Sequence, residues 1–466
     1  MTTNDPPDPN ELRVPTSAEL TGLSSSMIED IVLRCAVAEG RLSMVRLADR
    51  LHCSVGVIDN VINAMRDRRL VEYEGMEGRS YLISVTEAGR QYSRTRSQEC
   101  RYSGPLPVPL DLYARVVCAQ RPNLHLDRDL LSRAYSDLVV APELIDQLGP
   151  AICGDGAMFL YGPPGTGKSS IAERMIRAYN DTVLIPHCVE VQGQIVTVFD
   201  PILHEPLADQ PDGLDPRWLV CKRPAVIAGG ELHAGMLDLT LDREVGTYIA
   251  PLQFKANNGI LVIDDFGRQT MTPEELLNRW IVPLDRQVDY LTLAGRKFAV
   301  PFEVKVVLST NLDPTSLGDE AFFRRIHNKI YIGCVTDEQF DWILSRVAQG
   351  KGLDVHHDAV AQLRNQAKSR GDGELRAYLP GVVCKLALAI CKYENSAFQL
   401  TPSLVDRVLE LYFTRTVSMN APGPVPTTAP GTLPTAAPGT VPLALSPTDP
   451  PPVGDGFHAT LAAVGH

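Results

Sequence analysis

The chain has 466 residues, a formal net charge of −12 and ten cysteines. Its length predicts about two to four domains, and its acidic balance argues against a broad nucleic-acid-binding surface while leaving room for a local basic patch. The polar, acidic start differs from a signal peptide, and no apolar run in the sequence reaches the ~18 residues that a membrane span requires. The cysteines are scattered without a CxxC pair, which fits reduced thiols. We therefore expect a cytoplasmic protein without membrane insertion.

The first hundred residues divide into two parts. Residues 1–24 are polar and rich in proline, so we expect them to be disordered. The apolar periodicity of residues 25–100 predicts a helix that ends at Gly40, then a helix–turn–helix, then two strands around the turn Gly75–Gly78. This order of elements resembles a winged-helix module.

The helix–turn–helix leaves two interpretations of this module open. The second helix of such a pair often binds DNA, and Arg66, Arg68 and Arg69 cluster at its predicted end. A solvated helix end explains three arginines as well. We favour protein contact or spacing for the module, with nucleic-acid binding as the alternative.

The rest of the chain divides by composition into four segments. A proline-containing stretch predicts an extended linker. Strand and helix patterns follow it, and a mainly helical segment comes next. The end of the chain, rich in Pro, Ala and Thr, cannot bury a core and predicts disorder. The boundaries are 101–125 for the linker, 126–333 for the α/β segment, 334–418 for the helical segment and 419–466 for the tail.

A glycine-rich motif, GPPGTGKSS, fits the phosphate-binding pattern GxxxxGK[ST]. The apolar run AMFLY precedes it as a predicted strand, and SSIAERMIRAY follows as a predicted helix. Glycines let the backbone wrap around phosphates and point its N–H groups inward. We expect Lys168 to neutralise the β- and γ-phosphates and Ser169 to bind Mg²⁺. The predicted binding residues are Gly162, Pro163, Pro164, Gly165, Thr166, Gly167, Lys168, Ser169 and Ser170.

A second motif, GILVIDDFGRQ, ends an apolar run in two carboxylates. Residues 260–263 predict a buried strand, and two like charges at its end are costly unless a cation lies there. We expect Asp264 to hold hydrated Mg²⁺ and Asp265 to orient or deprotonate the attacking water. Capping of the following turn is the alternative role for one or both acids.

Two further features complete the predicted site. The apolar stretch 302–311 predicts a strand that ends in Asn311, whose amide could hold the attacking water or the γ-phosphate. An Asx turn is the alternative for Asn311, and one residue can serve both roles. In AFFRRIHNKI, Arg324 and Arg325 are candidates for a guanidinium aimed at the γ-phosphate, with solvated surface as the alternative.

Together these motifs, in this order over about residues 126–416, resemble an AAA+ ATPase: Walker A at GPPGTGKS, Walker B at LVIDD, sensor 1 at STN, a finger candidate at FFRRI and a helical lid. The resemblance implies ATP and Mg²⁺ as cofactors and a homo-oligomeric ring, usually a hexamer. It implies that Arg324 or Arg325 acts on the neighbouring subunit. It also places Arg376, in GELRAYL, where the sensor-2 arginine of the family lies.

The expected fold class is therefore α/β: a P-loop AAA+ parallel sheet with a helical lid, preceded by a winged helix and followed by a disordered tail. A helix and a Gly295-centred hairpin over 276–304 resemble the pre-sensor-1 hairpin of MoxR-like members. The whole chain resembles bacterial AAA+ ATPases that carry chaperone or Flp-pilus labels.

Two departures from the family pattern stand out. Walker B ends in Asp265 where most members have glutamate, which is one methylene longer. A long span, 181–258, separates Walker A from Walker B and predicts an insertion with a hairpin turning at Gly193.

We expect an ATP-driven machine that remodels an unknown protein partner. The alternatives are a DNA-binding ATPase or regulator that acts through the winged helix, and a nucleotide-switched scaffold with little hydrolysis. The short carboxylate of Asp265 is the feature that favours the scaffold.

Overall fold

The computed structural model describes most of the chain and leaves the predicted tail, residues 419–466, outside the described residues. No helix in the described part is long and apolar enough to cross a membrane. The described ranges are 6–122, 126–154, 156–313 and 326–413.

Residues 25–96 form a small module of helices around a three-stranded antiparallel sheet with strand order β1-β3-β2. Serine or threonine side chains cap α1, α3 and α4 at their first turns, as expected for these residue types. The hairpin turns at Gly78, while Gly75 lies inside β2 beside a break in register. The elements are α1 (Ser25–Glu39), β1 (Leu42–Ser43), α2 (Met44–Leu51), α3 (Val55–Asp67), β2 (Val71–Glu77), β3 (Ser80–Val85) and α4 (Glu87–Arg96).

The N-terminal segment is ordered from residue 6, so the prediction of disorder over 1–24 is wrong for residues 6–24. It contains two short 3-10 helices, Pro9–Leu12 and Glu19–Thr21. The backbone N–H of Asp215 donates to the carbonyl of Leu12 at 2.8 Å. The composition suggested disorder because the partner of this segment lies some 200 residues away along the chain.

Residues 101–122 of the predicted linker, 101–125, are also part of the fold. Its residues form β4 (Val108–Pro109) and α5 (Leu110–Ala119). Strand β4 pairs in parallel with a strand of the insertion, where Val108 faces Val189. Helix α5 buries Tyr113 and its apolar neighbours in a core cluster. Proline at 105, 107 and 109 suggested an exposed connection, whereas these residues lead into a buried strand and helix.

The following segment carries strands of four sheets. Proline begins α7 and α10, and a capping box at Thr272 closes the first turn of α10. The elements are α6 (Arg128–Ala134), α7 (Pro142–Cys153), β5 (Met158–Tyr161), α8 (Lys168–Arg174), β6 (Thr182–Pro186), β7 (Cys188–Val191), β8 (Gln194–Thr197), β9 (Trp218–Lys222), β10 (Ala225–Ala228), β11 (Thr240–Asp242), β12 (Thr247–Ile249), α9 (Leu252–Lys255), β13 (Ile260–Ile263), α10 (Pro273–Arg286), β14 (Val288–Leu293), β15 (Arg296–Pro301), β16 (Lys305–Thr310) and β17 (Asn328–Tyr331).

The central sheet is parallel and five-stranded, with strand order β10-β13-β16-β5-β17. Side chains alternate between its two faces: Phe159 and Leu261 join the core cluster on one face, Leu160 and Val262 the cluster on the other. Both faces are buried, which explains the unbroken apolar runs of β5 and β13. The predicted α/β fold with a parallel sheet is confirmed.

The predicted insertion contributes strands to three sheets. Strand β10, which the sequence placed in the insertion, is the edge strand of the central sheet. Strands β7, β8, β11 and β12 join β4 of the predicted linker in a second five-stranded sheet of order β11-β12-β8-β7-β4, and β6 and β9 form an antiparallel pair. The hairpin β7–β8 turns at Gly193, as predicted.

The C-terminal described region has its own apolar core, which includes Phe340, Leu344, Val383 and Leu409. Its strands are a two-residue parallel pair, so the region is almost wholly helical, as its sequence predicted. The elements are α11 (Asp337–Gly350), β18 (Asp354–Val355), α12 (His357–Arg370), α13 (Leu379–Glu394), β19 (Gln399–Leu400) and α14 (Pro402–Tyr412).

Candidate nucleotide-binding site

Three neighbouring strands of the central sheet end at the same edge. In the β5–β16 pair Tyr161 lies opposite Thr310, and in the β13–β16 pair Ile263 lies opposite Leu308. The glycine-rich loop, the acidic pair and Asn311 follow these strands directly, so the parallel register brings them together. They line a cleft of about 430 Å³.

The glycine-rich loop adopts a backbone conformation that disfavours any residue with a side chain at two of its positions. Gly162 has φ 144°, and a Cβ on it would lie 2.2 Å from the carbonyl oxygen of Ile332. Gly165 has φ 77°, and its Cβ would lie 2.1 Å from the ring of Tyr378. The loop therefore requires glycine at both positions, because the backbone conformation and the space each exclude a side chain.

Lys168 is the first residue of α8, directly after the loop, and is 5% exposed. Its Nζ donates to the carbonyl oxygens of Gly162 at 3.0 Å and Pro163 at 2.7 Å. Burial lowers the pKa of the Lys168 ammonium, and the carboxylates of Asp264 and Asp265 oppose that shift. The lysine is thus a buried cation among the residues that line the cleft, and a cation suits the binding of phosphate.

The two residues of the acidic pair differ in exposure: Asp264 is half-buried and Asp265 is exposed. Asp264 continues the line of β13, where its N–H donates to the carbonyl of Ala228 at 2.8 Å. Asp265 is exposed and has a left-handed backbone with φ 48°. Its Oδ1 accepts a hydrogen bond from Asn311 Nδ2 at 2.8 Å. The side chains that end β13 and β16 are therefore in direct contact.

The sequence left turn capping open as a role for Asp264, Asp265 and Asn311. Most hydrogen bonds of these turns involve other groups than their side chains. The carbonyl of Asp265, rather than its carboxylate, accepts from the N–H of Arg268 at 3.0 Å. After β16, the N–H of Leu312 donates to Thr310 Oγ1 at 3.1 Å. Among the described contacts, the carboxylate of Asp265 and the amide of Asn311 bond to each other.

The lid contacts the glycine-rich loop from the outside. Arg376 Nη1 donates to the carbonyl of Pro164 at 2.9 Å, and the guanidinium also pairs with Asp372. The N–H of Tyr378 donates to the carbonyl of Gly165 at 3.2 Å. Residues of the helical region therefore hold two successive carbonyls of the loop.

The predicted binding residues do not all face the cleft. Gly165 to Ser170 line it, together with Asp264, Asp265 and Asn311. The residues of 162–164 do not line it, and their carbonyls instead accept hydrogen bonds from Lys168 and Arg376. The predicted Arg324 and Arg325 lie outside the described residues.

The sequence missed several apolar residues that line the cleft. Leu138, Val139 and Val140 line it from the segment before α7, and Ile343 and Val347 line it from α11. These side chains carry no catalytic groups, and their spacing matches no motif. The apolar run LVV at 138–140 is the one signal in the sequence, and a core position explains it equally well.

Donors for a metal ion are present on one side of the cleft. Ser169 and Asp264, the predicted Mg²⁺ ligands, both line it. Mg²⁺ commonly takes one or two protein oxygens and completes its shell with phosphate oxygens and water. A hydroxyl and a carboxylate beside a phosphate-binding loop fit that requirement.

Comparisons with known proteins match parts of this architecture. Residues 336–411 match the family model described as a domain of unknown function, DUF8689. No curated protein matches the chain. The Thermotoga maritima RuvB Holliday junction branch migration motor shares 14% identity, covers 63% of this chain and 72% of its own, and has a TM-score of 0.35. NtrX from Brucella abortus shares 15% identity, covers 63% of this chain and 59% of its own, and has a TM-score of 0.36.

Proposed function

We propose that the protein is an AAA+ ATPase that binds ATP with Mg²⁺ in this cleft and hydrolyses it. The observation that carries the proposal is the meeting of Lys168, Asp265 and Asn311 at the ends of three neighbouring strands. A buried lysine on a glycine-rich loop, beside two carboxylates and an amide, is a set of groups suited to phosphoryl transfer to water.

Polar and apolar residues of the cleft would bind different parts of ATP. Lys168 and the N–H groups of the loop face the phosphates, while Ser169 and Asp264 hold the ion. Mg²⁺, when bound, neutralises charge on the phosphate oxygens. Apolar side chains such as Leu138 and Val347 line the other part of the cleft and suit the base.

Hydrolysis requires a group that orients or deprotonates water. Asp265 is exposed to the cleft, and Asn311 fixes the direction of its carboxylate through the 2.8 Å hydrogen bond. This contact supports a hydrolytic role over that of a scaffold that only binds nucleotide. A shorter side chain than glutamate is compatible with this role because the carboxylate is held in place.

The link between loop and lid supports a remodelling machine. Arg376 and Tyr378 contact the loop that would hold the phosphates, so occupancy of the loop can bias the position of the lid. We include in the proposal a homo-oligomeric ring in which Arg324 or Arg325 acts on a neighbouring subunit. Its substrate is an unidentified protein, and its location is the cytoplasm. The ten cysteines are free, which supports a reducing compartment.

The topology of residues 25–96 supports a winged helix, yet its contacts favour a structural role over DNA binding. The Oγ of Ser54, the N-cap of α3, donates to the carbonyl of Pro15 at 2.5 Å. A Cβ on Gly56 would lie 2.5 Å from the carbonyl of Thr16. The end of α3 that helix–turn–helix proteins direct at bases is thus covered by the N-terminal segment.

Two of the three arginines that favoured DNA binding are engaged within the module. Arg68 pairs with Glu29 at 2.5 Å, and the guanidinium of Arg66 lies 5.1 Å from the ring centroid of Tyr73. Few basic groups on α3 are left for phosphate contacts, which dominate DNA affinity. We therefore propose that the module packs on the ATPase part and presents a surface for protein.

Binding of a fluorescent ATP analogue with Mg²⁺ tests the proposal. Lys168→Ala should weaken binding at least about tenfold, because a charge-assisted hydrogen bond contributes about 1.5–3 kcal/mol. Lys222→Ala is the matched control, since Lys222 is exposed and pairs with Glu205, and neither residue lines the cleft. Equal affinity in wild type and Lys168→Ala would contradict the proposed site.

A further inference from the structure

The turn that carries Asp265 has an unusual backbone. Asp265 has φ 48° and Gly267 has φ 100°. A left-handed conformation is natural for glycine, whereas a residue with a side chain adopts it at a cost in energy. Aspartate and asparagine accept it more readily than most residues. Asp265 therefore needs contacts that hold it in this conformation.

One side chain, that of Gln269, supplies three of these contacts. Its Nε2 donates to the carbonyl of Asp264 at 2.9 Å and to the carbonyl of Asp265 at 3.1 Å. Its Oε1 accepts from the N–H of Gly267 at 2.8 Å. The partners fix the orientation of the amide, because carbonyls only accept and an N–H only donates.

The opposite side of the turn is attached to the end of β16. The N–H of Phe266 donates to the carbonyl of Ser309 at 2.7 Å. Thr310 Oγ1 donates to the carbonyl of Phe266 at 2.7 Å. Strand β16 thus holds the middle of the turn, while Gln269 holds the peptide groups on both sides of Asp265.

We propose that Gln269 is a positioning residue, which holds Asp265 in the left-handed conformation that directs its carboxylate to Asn311. This inference rests on the proposed ATPase function. The amide of Gln269 bonds only to backbone in the described structure, so it acts on the reaction through Asp265. The backbone turn after β13, rather than the alternation of side chains along the strand, then sets the direction of the Asp265 carboxylate, which is shorter than that of a glutamate.

The full-length chain offers a matched control for this role. Gln210 makes the same three kinds of bond: its Nε2 donates to the carbonyls of Leu207 and Val220, and its Oε1 accepts from the N–H of Val220. It lies in the insertion and does not line the cleft. Gln269→Ala and Gln210→Ala therefore both remove a side-chain amide that bonds to backbone. Only Gln269→Ala removes contacts with Asp265.

The experiment compares steady-state ATP hydrolysis, affinity for a fluorescent ATP analogue with Mg²⁺, and amide hydrogen exchange in Gln269→Ala and Gln210→Ala. Gln269→Ala should lower kcat about tenfold or more and change the analogue's Kd by less than about threefold. Exchange in a peptide that covers 264–270 should become faster. Gln210→Ala should leave kcat, Kd and exchange at 264–270 as in wild type.

A double variant distinguishes positioning from general loss of structure. In an Asn311→Ala background, Gln269→Ala should add little to the loss of kcat, because both residues act on the carboxylate of Asp265. Fully additive losses, unchanged kcat in Gln269→Ala, or unchanged exchange at 264–270 would each overturn the inference. Wild-type protein that binds but does not hydrolyse ATP would contradict the proposed function. In that case, faster amide hydrogen exchange at 264–270 in Gln269→Ala would still show that Gln269 holds the backbone of Asp265.

Discussion

Asn311 Nδ2 donates to Asp265 Oδ1 at 2.8 Å, which joins the residues that follow two neighbouring strands of the central sheet. Asn311→Ala should lower kcat for ATP hydrolysis by about 10²-fold, the usual scale for a group that orients a catalytic base. Affinity for ATP should change little. Steady-state kinetics check this, with Asn60→Ala, an exposed position on α3, as control. A raised KM with unchanged kcat would show that Asn311 serves binding instead.

Replacing Asp265 by glutamate, the usual residue in the family that the sequence resembles, should lower ATP turnover. Glutamate tolerates φ 48° less well than aspartate, and its extra methylene moves the carboxylate away from Asn311. A cost of about 1 kcal/mol corresponds to a loss of about fivefold in kcat for Asp265→Glu. A kcat equal to or above that of wild type would show that the turn does not set the position of the carboxylate.

A buried ion pair in the α/β segment, Arg217 with Asp215, should help to hold the N-terminal segment in place. Arg217 and Asp215 are 1% and 0% exposed, and Arg217 Nη1 also donates to the carbonyls of Thr21 and Pro107. Arg217→Ala leaves a buried carboxylate unpaired, so it should reduce the free energy of unfolding by about 3–5 kcal/mol. Chemical denaturation measures this change.

An exposed pair is the comparison for that variant. Lys222 and Glu205 are 61% and 68% exposed, and Lys222→Ala should cost less than about 1 kcal/mol. Equal effects of the two substitutions would mean that the Arg217 pair contributes no more than a surface contact.

His187 should make stability depend on pH. Burial, and then the nearby His52, lower the pKa of His187 from 6.5 to about 4. Above pH 6.5 the residue is neutral in both states. As the pH falls from 6.5 towards about 4, the unfolded chain takes up a proton that the folded protein does not, and the free energy of unfolding falls by up to about 1.4 kcal/mol per pH unit.

His187→Phe should flatten this part of the pH profile. The ring of His187 packs 4.5 Å from His52 and 5.6 Å from Phe199, between centroids, so a phenyl ring suits the position. Denaturation between pH 7.5 and 4.5 checks this, with the exposed His357→Phe as control. Identical profiles for wild type and His187→Phe would contradict the burial of a neutral imidazole.

The sequence predicted the parts of the fold whose signals are local. The runs 158–161 and 260–263 are unbroken apolar stretches, 305–310 has an apolar centre at 306–308, and the motifs that follow these runs have known chemistry, so both the strands and the groups at their ends could be inferred. The turns at Gly78 and Gly193 also follow from local backbone preference.

Other parts depend on partners far away in the sequence. Residues 6–24 and 101–122 have compositions typical of flexible chain, and they are ordered by contacts with 213–217 and with the insertion. Strand β10 has the same apolar character as the strands of the insertion, so only pairing with β13 assigns it to the central sheet. Gln269 was missed because a glutamine near a turn has no distinctive pattern.

The central claim is that Asp265 performs ATP hydrolysis at this site, and ATP turnover by wild type and Asp265→Asn tests it most directly. Asparagine keeps the left-handed backbone and the size of the side chain but removes the charge. The account predicts hydrolysis by wild type, a loss of about 10²-fold or more in Asp265→Asn, and equal affinity of both proteins for a fluorescent ATP analogue. Equal turnover by the two proteins would contradict it.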